Sequence, residues 1–130
     1  MSKFIGSIIF TTIVILNTNG LASAYQEVTP QELKEKSSKG DTITILDVRE
    51  IDEVADCKIP KSVHIPLAEV GKRAKELDTE KEIVVYCAAV VRSARASKIL
   101  DETGFKKIRN LKGGIRGWVA AGGKVEGPCK

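Results

Sequence analysis

The run Glu82-Ile83-Val84-Val85-Tyr86-Cys87 constrains this chain more than any other stretch. It is apolar, β-branched and short, which suits an interior strand. After Ala88-Ala89-Val90-Val91, the segment Arg92-Ser93-Ala94-Arg95-Ala96-Ser97-Lys98-Ile99-Leu100 has helical spacing and good helix formers. Cys87 therefore sits where a buried strand ends, just before a helix. A thiol there looks into a first turn whose N–H groups lack intrahelical partners. Such a site favours an anion, and the thiolate is the reactive form of cysteine. The competing reading is a buried cysteine that only fills a strand end, a common fate for a free thiol. The reactive reading requires a sulfur that solvent and substrate can reach.

The flanking sequence repeats this alternation. Thr29-Pro30-Gln31-Glu32 opens a helix, with Thr29 as N-cap, Pro30 in the first position and Glu32 completing a capping box. That helix runs to about Lys39, and Gly40 stops it. Thr42 to Val48 reads as a strand, Ile51 to Ala55 as a helical turn, and Ser62 to Ile65 as a short strand closed by Pro66. Leu67, Val70, Ala74 and Leu77 mark a helix, and Lys107 to Leu111 a further strand. Gly113-Gly114 turns into a last helix around Ile115 to Ala121, and the tail to Lys130 reads as loosely structured. Strands alternating with helices predict an α/β fold with a parallel sheet covered on both faces. Ligands in such folds bind beyond the carboxyl ends of the strands, where Cys87 lies.

Residues 1–24 read as a leader and 25–130 as one domain. Lys3 precedes an apolar stretch from Phe4 to Leu16, and Ala22-Ser23-Ala24 supplies small residues at a cleavable spacing. The apolar stretch is shorter than the roughly 20 residues that span a bilayer, which argues against an anchor. The expectation is cleavage after Ala24, a periplasmic or secreted product, and no stable membrane association afterwards. The chain carries 21 Lys and Arg against 17 Asp and Glu. These charges are interspersed, so no basic stripe for nucleic acid is present. The mild positive balance favours small anionic ligands. The three cysteines are Cys57, Cys87 and Cys129. An odd count in an oxidising compartment leaves at least one thiol unpaired within the chain. A Cys57–Cys129 pair would leave Cys87 free, though the sequence does not give the distance between them. The cysteine spacing and the single histidine argue against a metal site, and no cofactor is expected.

Taken together, Leu46-Asp47-Val48-Arg49-Glu50, Ser62-Val63-His64-Ile65-Pro66-Leu67, Ile83-Val84-Val85-Tyr86-Cys87, Arg92-Ser93, Gly104-Phe105 and Leu111-Lys112-Gly113-Gly114-Ile115-Arg116-Gly117-Trp118 resemble a single-domain rhodanese. With its leader the chain is similar to the small exported sulfurtransferases of the phage-shock protein E type. The resemblance implies a mainly parallel five-stranded sheet with helices on both faces, and a monomer. It also implies a catalytic cysteine, Cys87, in a six-residue loop ending at Arg92. In that family the cysteine takes sulfane sulfur from a small anionic donor such as thiosulfate and passes it, as a persulfide, to cyanide or a thiol. Splitting one hard transfer into two easier ones is covalent catalysis. The loop of Ala88, Ala89, Val90 and Val91, with Arg92 and Ser93, would bind the substrate. Arg92 is the candidate cation for the donor. Cysteine phosphatases use the pattern C-x5-R, whereas this chain has the shorter C-x4-R, which suits sulfur better than phosphate.

Two departures stand out. Rhodanese loops of this length usually carry glycine where this chain has Val90. A β-branched residue at positive φ is strained. Either the loop takes another path, or strain is stored at the site. On the strain reading, Val90→Gly raises turnover. The second departure is Cys57-Lys58-Ile59-Pro60-Lys61-Ser62, where the family often shows G-H-I-x-G-A. Cys57 there is a resolving thiol for Cys87 or, preferably, a plain substitution.

Among other residues, Asp47 and Arg49 read preferably as a strand-end carboxylate with its arginine, and His64 as structural. Trp118 packs the last helix onto the sheet. Ser93 either caps its helix or donates to sulfur. Arg116 and Lys112 either edge the pocket mouth or are solvated charges. Two functions follow: an exported sulfurtransferase, or a catalytically weak module that carries sulfur for a partner protein.

Overall fold

The computed structural model describes residues 25–40 and 42–130. The proposed leader lies outside them. Five strands form one sheet: β1 (Gln26–Val28), β2 (Ile43–Asp47), β3 (Val63–His64), β4 (Glu82–Tyr86) and β5 (Ile108–Leu111). Their order across the sheet is β1-β5-β4-β2-β3, and every pairing is parallel. The helices are α1 (Pro30–Ser38), α2 (Ile51–Asp56), α3 (Val70–Arg73), α4 (Val91–Glu102) and α5 (Gly114–Ala120). Single 3-10 turns, Leu67–Glu69 and Ala74–Glu76, flank α3, so the expected continuous helix over 67–77 is broken into three pieces. Strand β1 was not legible in the sequence. It contributes only Val28 to the core and sits at the sheet edge.

The alternation of side chains along β4 builds both cores. Ile83 and Val85 face a cluster completed by Val70, Ala96 and Leu100 from α3 and α4, and Cys87 continues that face. Val84 and Tyr86 face the opposite cluster, with Leu33, Ile115 and Trp118 from α1 and α5. A strand buried on both faces needs this unbroken apolar run. At the head of α1, the Thr29 side chain accepts the Glu32 N–H at 3.1 Å. The box closes differently from the expected form: the Thr29 hydroxyl donates to the Glu32 carboxylate at 3.0 Å.

The tail is not loose. Cys129 is disulfide-bonded to Cys57 across 72 residues. Lys58 and Glu126 exchange backbone hydrogen bonds of 2.9 Å each, and the Trp118 indole N–H donates to the Lys124 carbonyl at 2.8 Å. Gly123 lies flat on that indole, where an added Cβ would come within 2.4 Å of three ring atoms. Cys57 is therefore neither a plain substitution nor a resolving thiol for Cys87. Its sulfur is committed to the tail.

Candidate active site

Cys87 follows the last residue of β4, the middle strand of the sheet, and α4 begins at Val91. Of the three cysteines it alone is unpaired. Three carbonyls, those of Cys87, Ala88 and Ala89, converge on Gly114, where an added Cβ would meet them at 2.5–2.6 Å. Gly114 has φ +60°, so glycine is required there on both counts. The Cys87 and Ala88 carbonyls also accept the N–H groups of Ile115 (2.9 Å) and Arg116 (3.3 Å). In a trans peptide the N–H points opposite to the C=O. The amides of Ala88, Ala89 and Val90 are thus turned away from α5, toward the other side of the loop. The Gly113-Gly114 pair shapes the loop from outside.

Val90 has φ −147°, and no residue from 88 to 92 has positive φ. The strain expected at Val90 is absent: the loop takes another path. Val90 and Val91 are exposed and form an apolar rim. Ser93 is fully buried, and its hydroxyl donates to the Val90 carbonyl at 3.1 Å while lying 3.4 Å from Cys87 Sγ. It thus touches the sulfur and ties the loop to the first turn of α4.

Arg92 does not stand free at the mouth. It makes a two-pronged pair with Glu53 of α2, at 2.5 and 2.8 Å. The Arg92 hydrogen bond, working against partial burial, pulls the Glu53 carboxyl down to about 2. The same bond raises the Arg92 pKa, with a smaller contribution from the Cys87 sulfur. Glu53 also accepts the Glu50 N–H at 3.1 Å, so it links the heads of α2 and α4. The sequence reading missed Glu53. An acidic residue in the first turn of a short helix after the Asp47-Val48-Arg49-Glu50 corner was its only signal.

Below the loop lies a buried polar knot. Asp47 accepts from Arg49 Nε (3.0 Å), Arg49 Nη2 (2.7 Å), the Arg49 backbone N–H (3.0 Å) and the Tyr86 hydroxyl (2.7 Å). Burial, with the Asp47 charge, pushes the Tyr86 phenol up to about 12, so it stays a donor. Arg49 also donates to the Cys57 carbonyl at 2.6 Å, and His64 Nε2 lies 2.7 Å from the Arg49 carbonyl oxygen. Asp47, Arg49 and His64 are thus used in holding the corner between β2 and α2.

The expectation of an openly presented thiol is corrected. Only 2 % of the Cys87 surface is exposed. The loop and α4 close around the sulfur, leaving the exposed Ala89, Val90 and Val91 as its roof. Beside the loop, an open cleft runs from Ala88 to the Cys57–Cys129 disulfide.

A family profile, the rhodanese-like domain, matches residues 29–121. The chain belongs to the rhodanese-like family. It is similar to a candidate sulfur carrier protein, YrkF, of Bacillus subtilis (strain 168), with 42 % identity over 81 % of this chain and 55 % of that protein. The chain thus spans little more than half the length of YrkF. A candidate sulfurtransferase of the same organism, YtwF, is 39 % identical over 72 % of this chain and 89 % of its own. Among solved structures, a rhodanese-related protein from Thermoplasma volcanium superposes with a TM-score of 0.72 at 33 % identity, covering 78 % of this chain and 98 % of that one. The five-stranded parallel sheet and the cysteine after its middle strand are this chain's version of the rhodanese-like fold.

Proposed function

We propose that this rhodanese-like protein is a sulfurtransferase that carries sulfane sulfur on Cys87. The observation that supports this best is the cysteine itself: a sole free thiol at the carboxyl end of the middle strand, under a loop whose amides turn away from Gly114. In the first step the Cys87 thiolate attacks the outer sulfur of thiosulfate. A new S–S bond forms, the S–S bond of thiosulfate breaks, and sulfite leaves with the electron pair. The product is a Cys87 persulfide anion. In the second step a nucleophile, cyanide or a thiolate, attacks the outer sulfur and Cys87 leaves as thiolate.

Thiosulfate presents one terminal sulfur atom, the smallest demand a donor can place on a thiol that is 2 % exposed. Loop amides and the first turn of α4 are suited to hold the persulfide anion. Arg92 acts through the loop. Paired with Glu53, it fixes the head of α4 against α2. Ala88, Ala89, Val90, Val91 and Ser93 form the walls around the transferred atom. The leader pattern and the Cys57–Cys129 disulfide both support an exported protein, since disulfides persist in oxidising compartments.

A second reading, that the protein carries sulfur to a partner without fast turnover, shares the persulfide and draws on the name of YrkF. A thiocyanate-release assay separates the two. The enzyme reading expects thiosulfate- and cyanide-dependent turnover that Cys87→Ser abolishes. A persulfide that forms without turnover supports the carrier, and turnover that survives Cys87→Ser overturns both.

A further inference from the structure

We infer that the Cys57–Cys129 disulfide is a redox latch on Cys87: oxidised, it holds α2 against the head of α4 and keeps the thiol covered, and its reduction by a dithiol uncovers Cys87. α2 is the weak element beside the site. None of its residues, Ile51 to Asp56, is buried. A segment with few buried apolar contacts opens locally at low cost, so α2 depends on a few polar and covalent links. One link faces the site. Glu53 makes its two-pronged pair with Arg92, the second residue of α4, where the loop over Cys87 ends. The other links converge on Cys57, which caps the far end of α2. Arg49 donates to the Glu53 carbonyl at 3.4 Å and to the Cys57 carbonyl at 2.6 Å. The Cys57 sulfur is bonded to Cys129. The latch acts on the exposure of the thiol, whichever sulfur donor that thiol meets, so it stands apart from the persulfide reading.

The tail is clamped onto this same end of α2. The Lys130 backbone N–H donates to the Asp56 carboxylate at 3.1 Å. Gly127, with φ +103°, comes so close to the Asp56 carbonyl that an added Cβ would clash. Glu126, Gly127, Pro128 and Lys130 are exposed, so these contacts compete with water, and the disulfide is the covalent one among them. Breaking it frees the tail and with it the end of α2. Glu53 then no longer holds Arg92 in place, and the cover over Cys87 loosens. The disulfide is also open to attack. Both its cysteines line the open cleft of about 400 Å³ beside α5, and Cys129 is partly exposed whereas Cys57 is buried. Access decides which sulfur of a disulfide is attacked. One thiolate of the dithiol bonds to Cys129 Sγ, and the Cys57–Cys129 bond breaks with its electron pair on Cys57, which takes up a proton. The second thiolate of the dithiol then bonds to the first, and Cys129 leaves with its electron pair and takes up the other proton. Two electrons pass to the protein, and the dithiol leaves as its own disulfide.

The test is the rate at which iodoacetamide labels Cys87, read by mass at the Cys87 peptide, without denaturant. Oxidised wild type is compared with wild type reduced by dithiothreitol and with the double variant Cys57→Ala, Cys129→Ala, so that one arm needs no substitution. Leu77→Ala serves as a control for lost stability alone, since Leu77 is buried and precedes β4 at the end of the sheet opposite Cys87. Labelling should be at least about tenfold faster in the reduced protein and in the double variant, the sign of a local opening, and nearly unchanged in Leu77→Ala. Glu53→Gln in the oxidised protein should also speed labelling, and should add less when combined with the double variant, because both act through α2. Equal rates in oxidised and reduced protein overturn the latch. So does a rise in Leu77→Ala as large as that on reduction, which would mean opening by global unfolding. Fully additive effects of Glu53→Gln and the double variant overturn the route through α2. Sulfur uptake from thiosulfate by the oxidised protein is a separate readout, and its failure touches the persulfide reading alone.

Discussion

Val90 shows how one φ angle decides a mutational expectation. Its residue type, in a loop where relatives by resemblance carry glycine, suggested stored strain. Its observed φ of −147° lies outside the left-handed region, and its exposed side chain meets no packing conflict there. Val90→Gly therefore releases no strain and removes an apolar edge of the loop. We expect thiosulfate turnover to be unchanged or lower in this variant. A rise of about tenfold, equal to about 1.4 kcal/mol of barrier, would show that catalysis passes through a left-handed loop. The placement of Cys87 at the end of the middle strand was legible, because strand, loop and helix patterns converge on it. Its burial was not, because the roof is made by the path of the loop, which side-chain pattern does not encode. The pairing of Arg92 was hidden for a similar reason: Glu53 is remote in sequence and reaches it only through tertiary contact.

At the scale of elements, Glu53 is the joint between α2 and α4. Its carboxyl is held at about 2 in the folded protein against an ordinary value of 4.5. The folded state thus takes up this proton less readily than the unfolded chain. The stabilisation is complete above pH 4.5, erodes as pH falls, and is gone below about 2. Glu53→Gln should cost about 1 kcal/mol near neutrality, since the pair is partly solvated. It should also make stability less sensitive to acid, as read from denaturant midpoints between about pH 5 and pH 2. Equal acid sensitivity in variant and wild type would contradict the joint. Most elements were legible from periodicity and end signals, Gly40 with φ +73° among them. The failures were physical. Strand β1 is three residues long and two of them, Gln26 and Glu27, are polar, which leaves no alternation to read. The stretch over 67–77 keeps its apolar spacing while its backbone tightens at both ends into 3-10 turns.

For the whole molecule, the disulfide converts a polar tail into one wall of the cleft beside the loop. Nothing periodic marks residues 122–130, so the tail read as loose. What holds it is covalent and backbone-mediated: the Cys57–Cys129 bond, the Lys58–Glu126 bridge and the close approach of Gly123 to Trp118. Closing a loop of 72 residues should stabilise the fold by about 4 kcal/mol on the chain-entropy account. The double variant Cys57→Ala, Cys129→Ala should therefore show a denaturant midpoint well below that of the oxidised protein. An unchanged midpoint would mean that the tail adds nothing to the fold. The central claim, that Cys87 carries sulfur, is tested most directly by the intact mass of the oxidised protein before and after thiosulfate. The account predicts a gain of one sulfur atom in wild type, reversed by cyanide and absent in Cys87→Ser. No gain in the folded wild-type protein, or the same gain in Cys87→Ser, would contradict it.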